Sequence, residues 1–113
     1  MPIERRDIIL INEEALLAVR AQARMEPWLF PPGQIIAVDI NKNEEPLLVT
    51  VATAGAPNKR ESVALNRQQA VEVLIRFCLE NNIPLPRLGY KTAIIVPGPG
   101  GTGPHICLRL VST

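Results

Sequence analysis

The strongest hydrophobic periodicity lies just after Asn66, where Ala70, Val71, Leu74, Phe77 and Cys78 recur at i, i+1, i+4, i+7 and i+8. That spacing is one face of a 3.6-residue repeat and predicts an amphipathic helix. Asn66 stands at the N-cap position, and Gln69 three residues on can complete a capping box. Val73, Ile75 and Leu79 widen the apolar face, while Glu72, Arg76 and Glu80, spaced by four, predict a solvated row. Asn81-Asn82 offers a left-handed terminus, and Pro84 forbids continuation.

A second helix is predicted over 13–24, capped by Asn12. Its acidic pair Glu13-Glu14 opens it and its arginines lie late, as the helix dipole favours. Leu16, Val19 and Ala23 form the expected inward stripe. Around these helices the pattern shortens to strand-like runs. D-I-I-L-I (7–11) reads as a buried strand. In residues 34–41, Ile36, Val38 and Ile40 alternate with Ile35, Ala37 and Asp39, and 47–53 reads as the returning arm of a hairpin. Residues 61–65 lead into Asn66 as a third strand, and 90–96 with 105–111 predict a closing pair. The resulting order, β-α-β-β-β-α-β-β, points to an α+β fold: two layers, with two helices on a mostly antiparallel sheet of about five strands. The sequence shows no internal repeat and no domain boundary.

Composition narrows the class. A chain of 113 residues suits one globular domain over 1–113 with a core that needs neither disulfide nor metal. A formal charge of +1 provides no global field toward nucleic acid or an anionic membrane. Cys78 and Cys107 fall on apolar faces and read as reduced buried thiols, with a bridge open only if those faces meet. The opening M-P-I-E-R-R-D is charged and the apolar run after it too short for a signal or a span, so the expected location is cytoplasmic.

Candidate chemistry is sparse. The loop P-G-P-G-G-T-G-P (97–104) lacks the lysine and following helix of a phosphate loop and reads as a hairpin connection. His105 is the lone histidine, with no spaced partner for general-base or metal chemistry, so no catalytic residue, metal or cofactor is assigned. The proline-flanked M-E-P-W-L-F-P-P-G (25–33) carries Trp28 and Phe30. These are read first as rings capping the sheet, and alternatively as an anchor for a partner.

After the central helix, I-P-L-P-R-L-G-Y-K pins an extended path that presents Arg87 and Lys91. A helix running into I-P-L-P-R with a lysine four residues on resembles the C-terminal part of small uncharacterised bacterial proteins. That resemblance covers residues 70–91, implies that 83–87 matters to the family's fold, and carries no activity, cofactor or site residue with it.

Taken together, the residues favour a cytoplasmic, non-enzymatic interaction domain that binds another protein or itself as a homodimer, with Trp28, Phe30, Arg87 and Lys91 as candidate contacts. One alternative is a weak nucleic-acid or phosphate-backbone binder using Arg87 and Lys91. Another is a ligand-binding protein or enzyme with a pocket near Asp39, Tyr90 and His105.

Overall fold

In the computed structural model, which describes residues 4–41, 45–56, 58–86, 89–101 and 103–112, the helices and strands follow the expected α+β order. They are β1 (Glu4–Leu10), α1 (Asn12–Met25), β2 (Gly33–Ile40), β3 (Leu47–Thr53), β4 (Arg60–Leu65), α2 (Arg67–Glu80), β5 (Tyr90–Pro97) and β6 (Pro104–Ser112). The expected single sheet of about five strands is instead, among the described residues, six strands in two antiparallel sheets, ordered β1-β6-β5 and β2-β3-β4.

Helix α2 begins as its local chemistry dictates. Asn66 Oδ1 accepts from the Gln69 amide at 2.8 Å, and Gln69 Oε1 accepts from the Asn66 amide at 2.9 Å. It ends with Asn82 at φ 57° and the Ile83 amide donating to the Cys78 carbonyl at 2.8 Å, a left-handed C-terminal motif. Helix α1 starts one residue earlier than an Asn12 cap requires: Ile11 is the last extended residue and Asn12 is already helical. Isoleucine has no acceptor, so half a box survives, with Glu14 Oε1 accepting from the Ile11 amide at 3.1 Å.

Ala70, Val73, Leu74 and Cys78 of α2 are buried, as are Ala15, Ala18 and Val19 of α1. They join Leu10, Val49, Val51, Ile106 and Leu108 in one apolar core that draws on both sheets. The Glu72–Arg76–Glu80 row is not wholly solvated. Arg76 Nε donates to Gln22 Oε1 of α1 at 2.8 Å, and the Gln22 amide in turn donates to Glu26, so a polar chain ties the two helices together. Gln22 can be buried because both ends of its amide are satisfied.

Strand β2 departs from simple alternation. A bulge between Ile35 and Ala37 turns Ile35 inward with Val38 and Ile40, and leaves Ile36 as the extra residue. The Ile35 carbonyl is taken by the Arg20 guanidinium, through Nε at 3.1 Å and Nη2 at 2.9 Å.

The element order is β-α-β-β twice over. Helix α1 starts at residue 12 and α2 at 67, 55 positions on; β2 starts at 33 and β5 at 90, 57 positions on. The two extra residues fall between the end of α2 and the start of β5. Buried Leu10, Ala15, Ala18 and Val19 recur 55 positions later as buried Leu65, Ala70, Val73 and Leu74. On the hairpins, Val49 and Val51 recur 57 positions later as Ile106 and Leu108. The fold is therefore an internal structural duplication, which the residue identities do not reveal. The halves exchange strands: β1 completes the β5–β6 hairpin, and β4 completes the β2–β3 hairpin, with registers that differ by two residues.

Candidate functional site

Along β6, Ile106, Leu108 and Leu110 face the core, so His105, Cys107, Arg109 and Val111 face the other way. The registers of β1 and β5 extend these into rows across the first sheet. Ile9, Cys107 and Ile94 form one row, Asp7, Arg109 and Thr92 the next, and Arg5, Val111 and Tyr90 the third; Val96 lies beside His105. Apolar side chains flank the charged middle row of this outer face, with Ile9 51% exposed on one side of it and Tyr90 66% exposed on the other. The matching row of the second sheet is Ser62, Thr50 and Ala37, small and largely polar. The duplicated fold therefore does not itself demand an apolar surface here.

Three features give the face its chemistry. Arg109 grips Asp7 through both carboxylate oxygens, Nε to Oδ1 at 2.9 Å and Nη2 to Oδ2 at 3.0 Å. That hydrogen-bonded guanidinium holds the Asp7 carboxyl below its ordinary range, against a smaller opposing effect of burial. Cys107 is sealed beneath its neighbours, and burial pushes its thiol up, away from thiolate reactivity. His105 is 9% exposed, and its Nδ1 has no hydrogen-bond partner among the described residues.

Because Asp7 is depressed in the folded chain, its contribution to stability is full above the ordinary aspartate pKa of about 3.9. It is lost as pH falls through the lower folded value. Asp7→Asn is accordingly expected to remove part of the acid-side loss of stability. Urea midpoints measured at pH 7 and pH 3 check this: the wild type should fall further between the two than the variant.

Cys78 belongs to the core cluster beneath the helices, whereas Cys107 lies on the opposite side of the first sheet. The two faces do not meet, and both thiols are free. Trp28 and Phe30 part company: Trp28 is 74% exposed on the short 3₁₀ turn Pro27–Leu29, while Phe30 is buried in the core. Of the two rings, Phe30 therefore packs into the core and Trp28 stands in solvent.

Lys91, half-buried on β5, stands opposite Leu110 on the inward side, away from the apolar outer face. Arg87 lies outside the described residues. Asp39, Tyr90 and His105 do not converge. Asp39 is exposed in the second sheet, and Tyr90 pairs with Val111 at one end of the first sheet while His105 pairs with Val96 toward the other. The glycine-rich loop closes the β5–β6 hairpin, with the Gly98 amide donating to the Gly103 carbonyl at 2.7 Å. Gly100, Gly101 and Gly103 there take positive φ.

Among the described residues, no helix is long and apolar enough to cross a membrane, and no group of three or more His, Cys, Asp or Glu is placed to hold a metal. Compared with protein-family models, curated proteins and solved structures, the chain matches none of them.

Ile9 is the residue that sequence reasoning placed wrongly. The run D-I-I-L-I reads as a buried strand, whereas in the structure exposed Ile9 alternates with buried Leu10. The same signal is present in A-I-I-V (93–96) and I-C-L (106–108), unbroken apolar runs on a sheet whose helices cover one face.

Proposed function

We propose that this chain is a cytoplasmic interaction domain, without catalytic activity of its own, that pairs with a second copy of itself through the outer face of β1, β6 and β5. The observation that carries the reading is that each of three adjacent strands contains an apolar run, 8–10 in β1, 93–96 in β5 and 106–108 in β6, while one face of their sheet is uncovered among the described residues. An antiparallel sheet with one face in water ordinarily alternates apolar inward with polar outward residues, and the outward Ile9, Cys107 and Ile94 break that alternation.

A second copy is the occupant that the charges favour. Asp7 and Arg109 present one acid and one base side by side at the middle of the face. A two-fold related copy can lay acid against base twice over, the self-complementarity that an isologous contact requires. Strands about 4.8 Å apart, rising about 3.3 Å per residue, give with their side chains a footprint of roughly 600 Å². Doubled, that reaches the low end of specific interfaces, about 1,200 Å² in total. Pairing is therefore expected to be reversible, with a Kd on the order of micromolar. The reducing cytoplasm suits two free thiols.

Sedimentation equilibrium from about 1 µM to 1 mM tests this. The wild type should pass from the monomer mass to twice that mass. Ile9→Glu, at a position already half exposed, should stay monomeric with an unchanged far-ultraviolet circular dichroism spectrum. A wild type that remains monomeric at the highest concentration sinks the proposal.

A further inference from the structure

The first-half strand β1 also forms one wall of a pocket on the other side of the sheet. Opposite it runs Pro84-Leu85-Pro86, the stiff connector after α2. Between them is a space of about 390 Å³ floored by Leu110, with Glu4, Arg5 and Arg6 along the strand side. That volume is within the range of small-molecule sites, roughly 300–1,000 Å³.

Arg6 is held in place. Its Nη1 donates to the Pro84 carbonyl at 2.9 Å, so the connector backbone orients the guanidinium plane. A guanidinium has five donors in a fixed fork, and this contact leaves the Nε and Nη2 edge unspent. No carboxylate among the described residues forms an ion pair with Arg6. Leu110 pairs in register with Arg6 on one side and Lys91 on the other. Two cations therefore flank the apolar floor, their backbones about 10 Å apart across three strands.

We infer that this pocket binds a small organic carboxylate with a compact apolar body, its two oxygens on the free edge of Arg6 and its body between Leu110 and the proline connector. A planar carboxylate matches a guanidinium edge bidentately. Pro84, Leu85, Pro86 and Leu110 supply apolar walls for a body that a bare inorganic anion lacks. Glu4 on the same rim opposes a dianion, because it offsets the charge of Arg6, while the Arg5 guanidinium stands 4.0 Å from Asp7 on the outer face. The site lies away from the proposed pairing face and stands independently of it.

The test is a titration of the ¹⁵N-labelled full chain with phenylacetate and hexanoate, with phenylacetamide and inorganic phosphate as comparisons. Saturable amide shifts are expected at Arg6, Leu85 and Leu110, with at least tenfold weaker binding of the amide. Arg6→Met, which keeps the aliphatic stem, should weaken phenylacetate at least tenfold. Arg6→Lys should lie between that variant and the wild type. The comparison of acid with amide on wild-type protein needs no variant to fold. Absence of shifts at 10 mM acid overturns the inference. So does an amide or inorganic phosphate that binds as tightly as the acids, or acid binding undiminished in a folded Arg6→Met.

Discussion

Leu74→Ala is expected to lower the stability of the chain by about 2–5 kcal/mol, the range for removing a buried leucine side chain and leaving part of the space unfilled. Leu74 is fully buried on the inward face of α2, in a core shared by both halves of the duplication. The effect is therefore expected on the whole transition and not on one half. Chemical denaturation should show a lower midpoint with an unchanged slope. Two separate transitions in the variant would contradict a shared core, and an unchanged midpoint would contradict the burial of the residue.

The second large effect is expected at Gly33, where β2 begins. Its φ is 149°, in the region that side chains rarely enter, and a Cβ there would lie 1.9 Å from the Ala52 carbonyl oxygen. Gly33 is paired with Thr53 at the end of the hairpin, next to Gln34 opposite Ala52. The backbone of β3 would have to give way, since the two nearest atoms are the carbonyl oxygen and carbon of Ala52, with a Val51 methyl next at 3.0 Å. Strain of about 1–3 kcal/mol for a residue forced into a sparse region adds to about 1–3 kcal/mol for overpacking. Gly33→Ala should thus cost roughly 2–6 kcal/mol by the same denaturation measurement. Gly55→Ala is the useful comparison. It too has positive φ, but nothing lies within 4 Å of the added carbon, so only the conformational part of the cost remains.

What could be read from the chain was local. The α2 cap at Asn66 and Gln69, its stop at Asn81-Asn82 and the bounds of β3 depend on residues within a few positions of one another, and the structure reproduces them. What escaped depended on distant partners. The position of Arg76 is set by Gln22, 54 residues away, so spacing along its own helix placed it with the solvated glutamates. The bulge at Ile36 left no mark because its neighbours are apolar too, and a run of such residues reads alike in either register. The duplication was illegible because matched positions share size and burial more than identity, as Val19 with Leu74 or Val49 with Ile106. At the candidate face, the apolar runs could be read as strands. They could not say that the covering of one side must come from elsewhere.

The exchange of strands between the halves has a consequence during synthesis. When residues 4–53 have left the ribosome, α1 and the β2–β3 hairpin can assemble from neighbours, but β1 has no partner until β6 arrives about a hundred residues later. Its run Ile8-Ile9-Leu10 is an unpaired apolar edge throughout that interval. Pairing at such separation is slow as well as late, since loop closure precedes any reward from contact. The nascent chain is then most open to aggregation through its first strand, and expression at lower temperature or with a chaperone that shields extended segments would favour the soluble product.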